Sequence, residues 1–60
     1  MKHWMNKGNC QFDLLLGGQV QQVLGKMIDM DDAGCTILLA TNGQEHAYTW
    51  AVVQHICDAP

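Results

Sequence analysis

At 60 residues the chain makes one domain. A body of that size buries only roughly 60% of its unfolded surface, so it is expected to lean on a partner. With 48% hydrophobic and 15% charged residues it is too apolar for a disordered chain and has few charges to cover its outside. Six carboxylates against Lys2, Lys7 and Lys26, with no arginine, leave a formal charge of −3 and argue mildly against a nucleic-acid surface, which normally depends on clustered basic residues.

Residues 1–8 place Trp4 and Met5 among polar neighbours and end at Gly8, a pattern for one or two helical turns closed by a left-handed glycine. So short a helix must pack on something or fray; residues 1–10 are therefore assigned to a helix or an arm, and residues 12–57 to the folded body. No hydrophobic signal-peptide core follows the start, and no apolar run approaches the roughly 20 residues of a membrane-spanning helix. A cytoplasmic, membrane-free protein is expected. Its odd set of thiols, Cys10, Cys35 and Cys57, is then reduced and packed.

Residues 12–16 form an apolar run broken by Gly17-Gly18, which reads as a strand entering a tight turn. A helix over residues 13–24 is the minority alternative, and two adjacent glycines inside it would cost roughly 2 kcal/mol relative to alanine. Residues 19–30 are apolar with interspersed glutamines, and Gly25 at their centre marks either a sharp bend or the close approach of another backbone. Residues 31–34 make an acidic turn, and residues 35–40 a central strand. Asn42-Gly43 supplies the strongest hairpin signal in the chain. Residues 46–50 alternate in a β manner, and residues 52–56 form a last apolar segment. Five short strands joined by tight turns are enough for a small, strongly bent antiparallel barrel of the SH3-like kind.

Several chemistries have partial residue sets. His55 and Cys57 with His46 or His3 lack the close knuckle spacing of a structural zinc site, so no metal is assigned. Asp29, Asp31 and Asp32 lack the oxygen ladder and terminal glutamate of a calcium loop and read as a solvated turn. Nothing pairs a cysteine with an oriented base, so no catalytic residue, cofactor or enzyme activity is assigned.

The order of features resembles the Sm-like (LSm) family, and within it the Hfq type of bacterial RNA chaperone. Gly25, Met27 and Asp31 look like its first motif; Ile37-Leu38-Leu39 is similar to its apolar third strand; residues 48–52, Tyr-Thr-Trp-Ala-Val, stand where that type carries Tyr-Lys-His-Ala-Ile. The resemblance covers residues 12–56. It implies an N-terminal helix, five bent strands, and a homo-oligomeric ring, six-membered by analogy, made by pairing the fourth strand of one copy with the fifth of the next. It also implies single-stranded RNA binding, with Tyr48, Thr49 and Trp50 at the inner base site and Gln21 or Gln22 on the opposite face; Lys26, repeated around a ring, would supply positive charge. The lysine and histidine that contact uridine-rich RNA in that type are here Thr49 and Trp50. RNA binding is thus the leading expectation and a protein-interaction scaffold without RNA its rival. For Trp50, packing in the core or a subunit contact is preferred to base stacking.

Overall fold

A computed structural model describes residues 4–59. Residues 1–3 and 60 lie outside the described residues, and with them Lys2, the candidate ligand His3 and part of the expected N-terminal helix. Five strands follow in order: β1 (Cys10–Leu16), β2 (Gln19–Met30), β3 (Gly34–Leu39), β4 (Glu45–Thr49) and β5 (Val53–Asp58). All pairings between these strands are antiparallel, in one sheet ordered β4-β3-β2-β1-β5. Among the described residues no helix is long and apolar enough to cross a membrane.

The minority helix over residues 13–24 is replaced by β1, a turn and the first half of β2. Gly17 and Gly18 both take positive φ, +59° and +78°, which lets Leu16 pair with Gln19 across a two-residue turn. The other glycine turn is looser than its sequence suggests. Only Gly43 has positive φ, +70°, and five residues separate Leu39 from Glu45, with Asn42 accepting the Gln44 N–H at 3.0 Å through its side chain.

Strand β2 is long because it serves two partners in succession. Its residues 19–25 pair with β1 and its residues 25–30 with β3, so only Gly25 belongs to both ladders. A Cβ at Gly25 would lie 2.6 Å from both Ile37 Cγ2 and the Leu38 carbonyl oxygen. Glycine is therefore required there by the close approach of β3. The half-sheets β5-β1-β2 and β2-β3-β4 turn toward each other at this point. Alternation puts Cys10, Phe12 and Leu14 of one half and Met27, Cys35 and Ile37 of the other into a single buried cluster.

The connection from β4 to β5 requires the same curl. Only residues 50–52 intervene, drawn into a tight turn by Val52 N–H to Thr49 C=O at 3.0 Å and Val53 N–H to Trp50 C=O at 3.2 Å. Four Cα steps reach at most about 15 Å, whereas the edges of a flat five-stranded sheet lie about 19 Å apart. The smallest dimension of the molecule, 20 Å, is likewise about two sheet layers. The sheet remains open all the same, because β4 and β5 do not pair with each other.

The expected N-terminal helix is corrected over the described residues. Met5 forms a parallel bridge with Met27, Asn6 donates its N–H to the Met27 carbonyl at 2.9 Å, and Asn6 has φ +53°. A β-type docking of Met5 onto β2, with Trp4 and Met5 packed partly buried against the core, gives this segment the tertiary contacts that an isolated two-turn helix would lack.

Candidate functional site

Two concavities gather the residues singled out by sequence. The first lies on the outer face of β2-β3-β4, where the register aligns Asp29 with Thr36 and Thr36 with Ala47. Small side chains along that row leave a cavity of about 230 Å³ lined by Asp29, Asp31, Gly34, Ala47, Tyr48 and Thr49, among others. Thr49 is exposed, and half-buried Tyr48 stacks with His46 at a ring separation of 6.3 Å.

Trp50 is not on the strand with Tyr48, as the period of two suggested; it is the first residue of the turn after β4. Its indole N–H donates to the Asp31 carbonyl at 2.8 Å and its amide N–H to the Ala33 carbonyl at 3.2 Å. The Asp31 carboxylate in turn accepts the N–H groups of Ala33 (2.8 Å) and Gly34 (3.0 Å). The indole also packs half-buried against the core. Trp50 thus staples the β2–β3 loop to the β4–β5 turn.

The second concavity, about 290 Å³, lies over β1 and β2 and among the described residues is lined by Gln11, Gln22, Val23, Leu24 and Ala59, none of them charged. Gln22 stands opposite Asp13, and Gln21 opposite buried Leu14, so the two glutamines point to different faces. Lys26 stands beside Leu38, which is itself opposite Glu45. The six candidates therefore divide: Tyr48, Thr49 and Trp50 share one corner, Gln22 lines the other concavity, and Gln21 and Lys26 join neither. Sequence reading missed Asp29 and Asp31 as neighbours of Tyr48 and Thr49, since only the bulged β2–β3 register brings them there.

Asp13 holds one buried carboxylate oxygen without a hydrogen-bond partner, cross-strand from Gln22 on one side and His55 on the other. Cys10 and Cys35 are buried free thiols whose pKa values are raised by desolvation; for Cys10 the Asp58 carboxylate raises it further, while Lys7 opposes. Among the described residues no group of three or more His, Cys, Asp or Glu side chains gathers as a metal site.

No family model, curated protein or solved structure matches this chain.

Proposed function

We propose that the chain is an Sm-like ring subunit that works by binding, not catalysis, as a protein-interaction scaffold. The observation that carries this reading is the pair of open edges: β4 and β5 end the sheet, and among the described residues no strand pairs with their outward sides. Unpaired edges recruit other strands, and joining β4 of one copy to β5 of the next would satisfy both edges of every subunit. Size-exclusion chromatography with light scattering should report several protomers per particle, six being the preferred number. Ala47→Lys on the β4 edge should reduce the assembly, since edge lysines oppose pairing. A wild-type chain that stays monomeric at micromolar concentration would refute the proposal.

Single-stranded RNA binding is the second reading. At the Tyr48–Thr49 corner a phosphate would meet the carboxylates of Asp29 and Asp31. At about 6 Å each repulsion costs about 1–3 kcal/mol, which offsets the roughly 1–3 kcal/mol of stacking one base. The cavity beside Gln22 favours RNA more, because its amides can read base edges without charge, although the Asp13 carboxylate stands cross-strand from Gln22. Uridine-rich and adenine-rich oligonucleotides titrated at low and physiological salt separate the two readings. Salt-sensitive binding weakened by Gln22→Ala supports RNA, and no binding at low salt leaves the scaffold.

A further inference from the structure

The loop between β3 and β4 holds a reactive pair that neither concavity uses. The chain has three asparagines, Asn6, Asn9 and Asn42, followed by Lys7, Cys10 and Gly43 in turn. Asn9 abuts Cys10, the first residue of β1, which is 1% exposed and paired with both Gly25 and Asp58. Asn6 is tied through its N–H to the Met27 carbonyl at 2.9 Å, and the next peptide carries the Lys7 side chain. Asn42 differs from both. It lies exposed in the loop between Leu39 and Glu45, and its side-chain oxygen accepts the Gln44 N–H at 3.0 Å. That bond folds the amide back along its own backbone, beside the Gly43 nitrogen, and polarises the amide carbonyl. A Cβ at Gly43 would meet nothing within 4 Å, so no neighbour crowds this peptide, and glycine presents its nitrogen without a side chain.

We infer that Asn42-Gly43 is a self-modification site, at which the side-chain amide is lost as ammonia and the backbone is rerouted just before β4. The Gly43 nitrogen, having given its proton to hydroxide, bonds to the Asn42 side-chain carbonyl carbon. The Nδ2 group takes up a proton and leaves as ammonia, which closes a cyclic imide. Water then adds to one of the two imide carbonyls and breaks that carbon's bond to the Gly43 nitrogen. Opening at the side-chain carbonyl leaves aspartate in a normal backbone; opening at the backbone carbonyl leaves isoaspartate, with the chain running through Cγ. One water is consumed, one ammonia is released, and nothing is oxidised or reduced. A single contact opposes the attack: the Gly43 N–H donates to the Leu39 carbonyl at 2.9 Å. One exposed hydrogen bond of this kind slows the reaction about 2- to 13-fold relative to an unfolded chain. Either product adds a carboxylate three residues before Glu45, where β4 starts. Isoaspartate also lengthens the backbone by a methylene, which moves the Gln44 N–H off its acceptor. The site does not depend on how copies of the chain assemble.

The test incubates the full chain in mildly alkaline buffer, once folded and once unfolded in guanidinium chloride, and follows peptide masses together with labelling by an isoaspartyl methyltransferase. The folded chain should convert at Asn42 ahead of Asn6 and Asn9, to both products, about 2- to 13-fold more slowly than the unfolded chain. Asn42→Gln, whose longer side chain would have to close a larger ring, should keep its mass. Amide exchange at Gln44 should be faster in the isoaspartyl chain and unchanged in Asn42→Asp, where a carboxylate oxygen still accepts that N–H. Conversion at Asn6 or Asn9 first would overturn the inference. So would aspartate formed without isoaspartate, since no imide would then have opened, or an Asn42 that stays intact in the folded chain while the unfolded chain converts. Gln44 exchange that is the same in the isoaspartyl and starting chains would overturn the rerouting of the loop.

Discussion

Replacing Gly25 by alanine puts the most demanding contact of the fold under direct test. The added methyl would sit 2.6 Å from Ile37 Cγ2 and 2.6 Å from the Leu38 carbonyl oxygen, with the Leu38 carbonyl carbon at 3.3 Å. Ile37 is fully buried in the core, and the Leu38 backbone belongs to the β2–β3 ladder, so neither can yield alone. Alanine would restrict the unfolded chain and contribute about 0.5–1 kcal/mol in the other direction. Overpacking a site of this kind costs about 1–3 kcal/mol, and the backbone oxygen puts Gly25→Ala at the upper end. The expected net loss is about 2 kcal/mol, or roughly 8–16 °C in thermal midpoint for a domain of this size. Circular dichroism melting and urea unfolding both read it. A variant that melts at or above the wild-type temperature would refute the bend at Gly25.

Trp50→Phe should cost about 1 kcal/mol by leaving the Asp31 carbonyl without its indole donor, and Trp50→Ala about 2–4 kcal/mol for a half-buried ring; urea unfolding that shows neither loss would make Trp50 an exposed platform instead. Gly18→Ala should lose about 1–2 kcal/mol because its φ of +78° disfavours a Cβ, with Gly18→Asn losing less, as thermal melts of the two will rank. Burial raises the Cys10 and Cys35 pKa values above the ordinary 9.0. Their contribution is therefore complete below about pH 9 and is lost as pH rises toward the folded-state values. The thermal midpoint should fall on the alkaline side, and less so in Cys35→Ala; a flat profile to pH 10.5 would contradict it. In the native chain a thiol reagent should label half-buried Cys57 well before buried Cys10 and Cys35, which peptide mapping would show.

Much of the strand plan was legible because its signals are local. Gly17-Gly18 marks its turn by the φ freedom of its own residues, and the apolar run over residues 12–16 before it reads as a strand, although the strand itself starts earlier, at Cys10. Gly25 was recognisable as a bend or close approach before either partner was known. Local signals failed where a distant residue offered a better arrangement. Trp4 and Met5 met the core and Met27 in place of forming a helix, and Trp50 left the β alternation because the Asp31 and Ala33 carbonyls accept its two N–H groups. The candidate site was half readable: Tyr48 stands out by type and Thr49 was named only through the resemblance, while the acidic wall from Asp29 and Asp31 depends on a bulged register invisible in either strand alone. Composition and local pattern suffice for a small, mainly β body with turns at the right glycines, since period and φ preference act within a few residues. Which strands end the sheet, which carboxylates lie beside Tyr48, and where Met5 docks on β2 depend on contacts between residues tens of positions apart, where packing and backbone pairing outweigh local preference.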